Sequence, residues 1–158
     1  MTLSFYRLIW LLPIAFLMHV AEEYLTGYPA YAGQVSGYPM ELSIFLGSNL
    51  AFIVIMALLV QWTAKTQQPA AVFWMLAWAA AHLFWNLIYH LASVVAYDRH
   101  SPGLVTGTLL YLPLSLALWQ AALAEKQLRC TSLVASIALG GLLMGFIAAV
   151  GIYHASGI

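Results

Sequence analysis

Residues 3–24 read LSFYRLIWLLPIAFLMHVAEEY. The run is apolar for long enough to cross the hydrocarbon core of a bilayer, which takes about 20 residues of helix. Its far end carries His19, Glu22 and Glu23. A charged side chain at bilayer depth costs at least about 2.5–3.5 kcal/mol, so such groups sit there with a partner or a task. Tyr24 and Leu25 continue the apolar character past the carboxylates, which argues against a plain water boundary. Arg7 ahead of an apolar core has the look of a secretory signal. Pro13 interrupts that core, however, and His19, Glu22 and Glu23 stand where a small-x-small cleavage site belongs. The segment is expected to stay as a span.

Four further stretches meet the same requirement, at about 40–62, 70–97, 104–124 and 131–153. The whole chain agrees: of 158 residues, 64% are hydrophobic and 6% charged, with mean hydropathy +0.91, outside the soluble globular range. We expect an all-α integral membrane bundle of five transmembrane helices, one domain over 1–158, in the cell membrane with lipids as its neighbours. Thr26-Gly27-Tyr28-Pro29, Gln67-Gln68-Pro69 and Ser101-Pro102-Gly103 supply turn chemistry between spans. The first loop holds Tyr24, Tyr28, Tyr31 and Tyr38 without a Lys or Arg, and is expected to cap the bundle at the interface. Arg7, Lys65, Lys126 and Arg129 fall on one side and Arg99 alone on the other. The positive-inside rule then puts the N-terminus in the cytoplasm and the C-terminus outside. A net charge of +0 offers nothing to a nucleic acid, and Cys130, the one cysteine, excludes an internal disulfide.

Helical spacing sets His19, Glu22 and Glu23 within an arc of about 100°. An imidazole beside two carboxylates suits a divalent or ferric ion, or a proton shared between acids. These three are the catalytic candidates. On the third span His82, Asn86 and His90 recur every four residues, flanked by Trp78, Trp85 and Tyr89. The backbones of His82 and His90 are roughly 12 Å apart at 1.5 Å rise per residue, too far for one ion. His90 lies at nearly the depth of His19, so it is the expected ligand partner, with Asn86 as a ligand or as the group that orients one. His82, near mid-depth, is a second site, a relay, or a histidine bonded to a neighbouring carbonyl. His154 ends the fifth span on the same side and is a further candidate ligand. Asn49 suits an interhelical hydrogen bond, Glu41 a helix start, and Asp98-Arg99-His100 a solvated loop. Pro13 and Pro113 are expected to kink their spans. Gly141, Gly145 and Ala149 form a small-residue stripe for close packing, within the chain or between copies in a homo-oligomer.

His19-x-x-Glu22-Glu23 in the first span, followed by Asn86-x-x-x-His90, resembles the HXXEE-motif family of small multi-pass membrane proteins. By size and span number the resemblance takes in nearly the whole chain. It implies the multi-span architecture and puts weight on His19, Glu22 and Glu23. It implies no reaction.

Three functions compete. The first is a metal-dependent enzyme working on a lipid or other apolar small molecule, with His19, Glu22, Glu23 and His90 as ligands and His82 or His154 completing the set. Zn there suits hydrolysis, Fe suits oxidation of a chain, and Mn also accepts such ligands; one or two ions are expected. The second is a metal-free acid/base isomerase or cyclase of a lipid or terpenoid, with Trp74, Trp78 and Trp85 facing a carbocation. The third is a small proton- or metal-coupled transporter, with His82 extending a path inward.

Overall fold

The computed structural model describes residues 4–36 and 40–155, with side chains for 4–35 and 40–150. Tyr38 and the side chain of His154 lie outside the described residues. Among the described residues every regular element is helical. Five helices are long and apolar enough to span a membrane: Phe5–Leu25, Leu42–Thr66, Pro69–Tyr97, Leu104–Ala124 and Cys130–Val150. The last continues to Ala155. A short helix, Tyr28–Ser36, fills the first loop.

The span ends follow local chemistry. The second span runs to Thr66, past the expected stop at Trp62, because termination waits for Gln67 in the left-handed conformation (φ 53°) and for Pro69. Thr63, Lys65 and Thr66 are polar but still good enough helix formers to carry the backbone on. The free N–H of Phe5 at the start of the first span donates to Glu125 Oε1 at 2.7 Å, and Tyr6 Oη to Gln127 Oε1 at 2.7 Å. An acid at a helix N-terminus satisfies an orphan donor and suits the dipole. This ties the N-terminal end of the chain to the loop after the fourth span.

Both prolines act four residues upstream. Helical bonding breaks at Ile9–Trp10, where Pro13 has no N–H for the Ile9 carbonyl; that carbonyl accepts instead from Leu12 N–H at 3.2 Å. In the fourth span, the turn expected to bond Pro113 becomes a π-helical stretch, Gly107–Tyr111. A second π stretch, Ala80–Trp85, interrupts the third span without a proline. Such bulges re-aim side chains and recur at functional sites.

The third span is the hub. It is 61% buried, against 39% or less for each of the others. Lipid tails are as apolar as leucine, so close backbone approach rather than hydrophobicity holds such helices together. The fifth span meets it at Gly140, where an added Cβ would come within 2.8 Å of Ala80 Cβ and Ala81 N. Gly141 lies against the Trp85 indole, whose Nε1 donates to Ile137 O at 2.9 Å. Of the expected stripe, Gly141 makes contact within the chain, joined by Gly140, while Gly145 meets nothing of this chain within 4 Å. Phe5, Ile9, Leu12, Met75, Leu76, Leu118 and Ala122 fill the half of the bundle near the N-terminus.

Candidate metal centre

The first span brings His19 and Glu23 to one side, one turn apart, and both are buried. The third span brings His90, also buried. Glu23 Oε1 lies 3.5 Å from His19 Nε2 and 3.4 Å from His90 Nε2. Neither Nε2 has a hydrogen-bond partner. One ligand atom from each of the three residues lies within 4.8 Å of the others.

The opposite nitrogens are held. His19 Nδ1 pairs with Thr106 Oγ1 at 2.8 Å, and His90 Nδ1 with Ser101 Oγ at 2.8 Å. The Thr106 hydroxyl also lies 3.4 Å from Gly103 O. With Nδ1 occupied, His19 presents Nε2 to Glu23. Orientation of an imidazole through its other nitrogen is how metal-binding histidines are set. The expected orienter of His90 was Asn86; the structure gives that work to Ser101, and Asn86 Oδ1 is buried without a partner.

Glu22 has a different task from its neighbour. Its Oε1 accepts from the N–H groups of Gly103 (3.2 Å) and Val105 (3.1 Å), and its Oε2 from Thr106 N–H at 2.7 Å. The carboxylate closes the N-terminus of the fourth span, where orphan N–H groups and the dipole favour an anion. Glu22 thereby fixes the loop that carries Ser101 and Thr106. It is not grouped with the His19–Glu23–His90 ligand atoms.

Gly103 makes the approach possible. It has φ +97°, and a Cβ there would fall 2.8 Å from His19 Cε1 and 2.9 Å from both Cε1 and Nε2 of His90. Around this core, Tyr111 stacks on His19 with centroids 4.4 Å apart, and Tyr28 of the short helix sets its ring edge-on to His90 at 5.9 Å. Desolvation of the Tyr28 hydroxyl, with Tyr89 and Glu23 nearby, raises its pKa well above the ordinary phenol value, so it stays protonated. Ser101, Gly103, Thr106 and Tyr111 escape a reading of the sequence in which Ser-Pro-Gly is only a turn. The usable signal was Thr106, a hydroxyl at the depth of His19.

His82 stands apart. It is boxed by Trp78, Phe52 and Phe16, with ring centroids at 4.4, 4.5 and 5.9 Å, and its Nε2 is buried without a partner. His82 lies in the π stretch and is not among the residues grouped around Glu23. Among the tryptophans, Trp74 is half exposed and Trp78 Nε1 donates to Phe52 O at 3.2 Å.

Two imidazoles and one carboxylate are a ligand set for Zn with an open position, and for Fe(II) as a facial triad. Ligands each about 2.0–2.1 Å from one ion lie roughly 3.0–3.4 Å apart, and Glu23 Oε1 sits 3.4 and 3.5 Å from the two Nε2 atoms. A protonated histidine bonded to Glu23 would bring N and O to about 2.7–2.9 Å.

Comparison with known proteins returns one family, described as proteins of unknown function with an HXXEE motif, matching residues 10–118. No curated protein and no solved structure matches. The matched segment contains His19-x-x-Glu22-Glu23 together with His90, Ser101, Gly103 and Thr106. With its motif histidine and second glutamate meeting at the buried cluster, the chain belongs to the HXXEE-motif family.

Proposed function

We propose that this protein is a membrane-embedded hydrolase of a lipid-like substrate, built on one metal ion, zinc by the donor set, held by His19, Glu23 and His90. The observation that carries the reading is the pair of unbonded Nε2 atoms at 3.4 and 3.5 Å from one buried carboxylate oxygen. An ion there supplies Lewis-acid polarisation of an ester oxygen and acidifies water. The chain's own part is to orient two imidazoles through Thr106 and Ser101, to supply a carboxylate, and to bury all three where electrostatic effects are strong. Met18, Val105 and Leu109 lie exposed on the first and fourth spans, which carry His19, Glu23 and Thr106. By the distribution of Lys and Arg this face is the outer one, and the cell membrane the compartment.

The metal-free reading has less support, because Glu23 faces two imidazoles rather than an apolar cavity, and Trp78 encloses His82. Coupled transport has less still, since the half of the bundle beyond His82 is packed with apolar side chains.

Elemental analysis of protein purified in detergent without chelator tests the proposal. One zinc per chain, lost in Glu23→Ala and in His90→Ala, is expected, together with hydrolysis of an ester lipid that chelators abolish. Absence of a stoichiometric metal overturns the reading, and iron in place of zinc overturns its hydrolytic part.

A further inference from the structure

A cavity of about 190 Å³ lies where the short helix meets the end of the third span, lined by Tyr31, Gln34, Val35, Tyr97 and Arg99. At about 30 Å³ per water, that is room for about six waters, or for a phosphate group and its first carbons. Its polar lining consists of donors. Arg99 Nη1 donates to Gln34 Oε1 at 2.7 Å, which leaves further guanidinium N–H groups and turns the Gln34 amide nitrogen outward. Tyr31 is buried and its hydroxyl has no partner. No carboxylate lines the cavity, and among the described residues none lies within ion-pair distance of Arg99. Arg99 is also the only Lys or Arg on this face of the bundle. A forked cation with hydroxyl and amide donors is a receptor for a phosphate or another oxyanion.

The Tyr28 ring stands between the cavity and the candidate centre. The Tyr31 ring lies 6.2 Å from that of Tyr28, which lies 5.9 Å from His90. Arg99 follows the last residue of the third span, Tyr97, by two, and so sits at headgroup level.

We propose that this cavity is a phosphate subsite and that the substrate is a phosphate-bearing lipid, anchored by Arg99, Tyr31 and Gln34. The subsite rests on the proposed hydrolase only in taking the bound lipid as substrate. Binding is measured in neutral detergent with phosphatidic acid, with diacylglycerol of the same chains, and with inorganic phosphate as competitor, and zinc content is read on the same samples. Wild-type protein is expected to prefer phosphatidic acid at least tenfold. Arg99→Gln removes the preference, Arg99→Lys keeps part of it, Tyr31→Phe lowers it a few-fold, and zinc content stays unchanged in all three. Competition by inorganic phosphate at comparable concentration would place the free ion, rather than the lipid, in the same subsite and overturn the lipid assignment. A preference that survives Arg99→Gln, or no preference in zinc-loaded wild type, overturns the subsite. A preference that depends on Arg99 in protein free of metal leaves the subsite standing and sinks the hydrolase.

Discussion

Two buried histidine environments lie eight residues apart on the third span, and they differ in the polar groups that meet the imidazole. Around His90 the neighbours are polar and directional: Ser101 on Nδ1, Glu23 facing Nε2, and His19 with its ring 5.2 Å away. Around His82 they are the faces and edges of Trp78, Phe52 and Phe16. Both leave an Nε2 without a hydrogen bond. Only one of those nitrogens is aimed at a second ligand and a negative charge. A buried imidazole is thus no sign of a site by itself; convergence with a fixed orientation is.

The contrast can be broken, most severely at the charge. Glu23→Ala should abolish stoichiometric metal, weakening binding well beyond the 10–100-fold that follows loss of a ligand's hydrogen-bond partner. Elemental analysis decides, and retention of metal would sink the ligand assignment. Gly103→Ala comes next. It forces a Cβ into both imidazoles at an unfavourable φ, with strain of about 1–3 kcal/mol before any clash, so thermal unfolding in detergent should show a large fall in Tm along with metal loss.

Thr106→Val and Ser101→Ala sharpen the comparison, since each frees one imidazole without touching a ligand. Metal affinity should fall 10–100-fold in protein that still folds, measured by competition with a chelator. Glu22→Gln separates the neighbouring carboxylates: it removes a charge from a helix N-terminus, worth about 0.3–1 kcal/mol, and should lower Tm slightly with metal content intact. Smallest of all, His82→Phe should leave metal content unchanged and Tm level or slightly higher, because it removes a buried nitrogen that bonds to nothing. Metal loss in that variant would join the two environments into one.

Much of this was legible from residue spacing. Span lengths need only hydropathy, and the pairing of His19 with His90 follows from equal depth. Spacing could not separate Glu22 from Glu23. They differ by one residue and 100° of helix, and which one faces the fourth span depends on a contact 81 residues away, from Glu22 to Gly103. The partners of the histidines came from a loop whose Ser-Pro-Gly composition reads as a turn whatever its side chains do. The π stretch in the third span has no proline to announce it, so residue spacing offers no sign of it.

The Glu22 cap has a consequence for biogenesis. Ribosomes deliver the first span long before residues 103–106 exist, so during synthesis both carboxylates lack the backbone donors and oriented imidazoles they later meet. The first helix should therefore hold its acidic end in the interfacial water and settle to full depth only when the fourth has inserted. Metal capture would then be a late event, and a chain truncated before Thr106 should bind none.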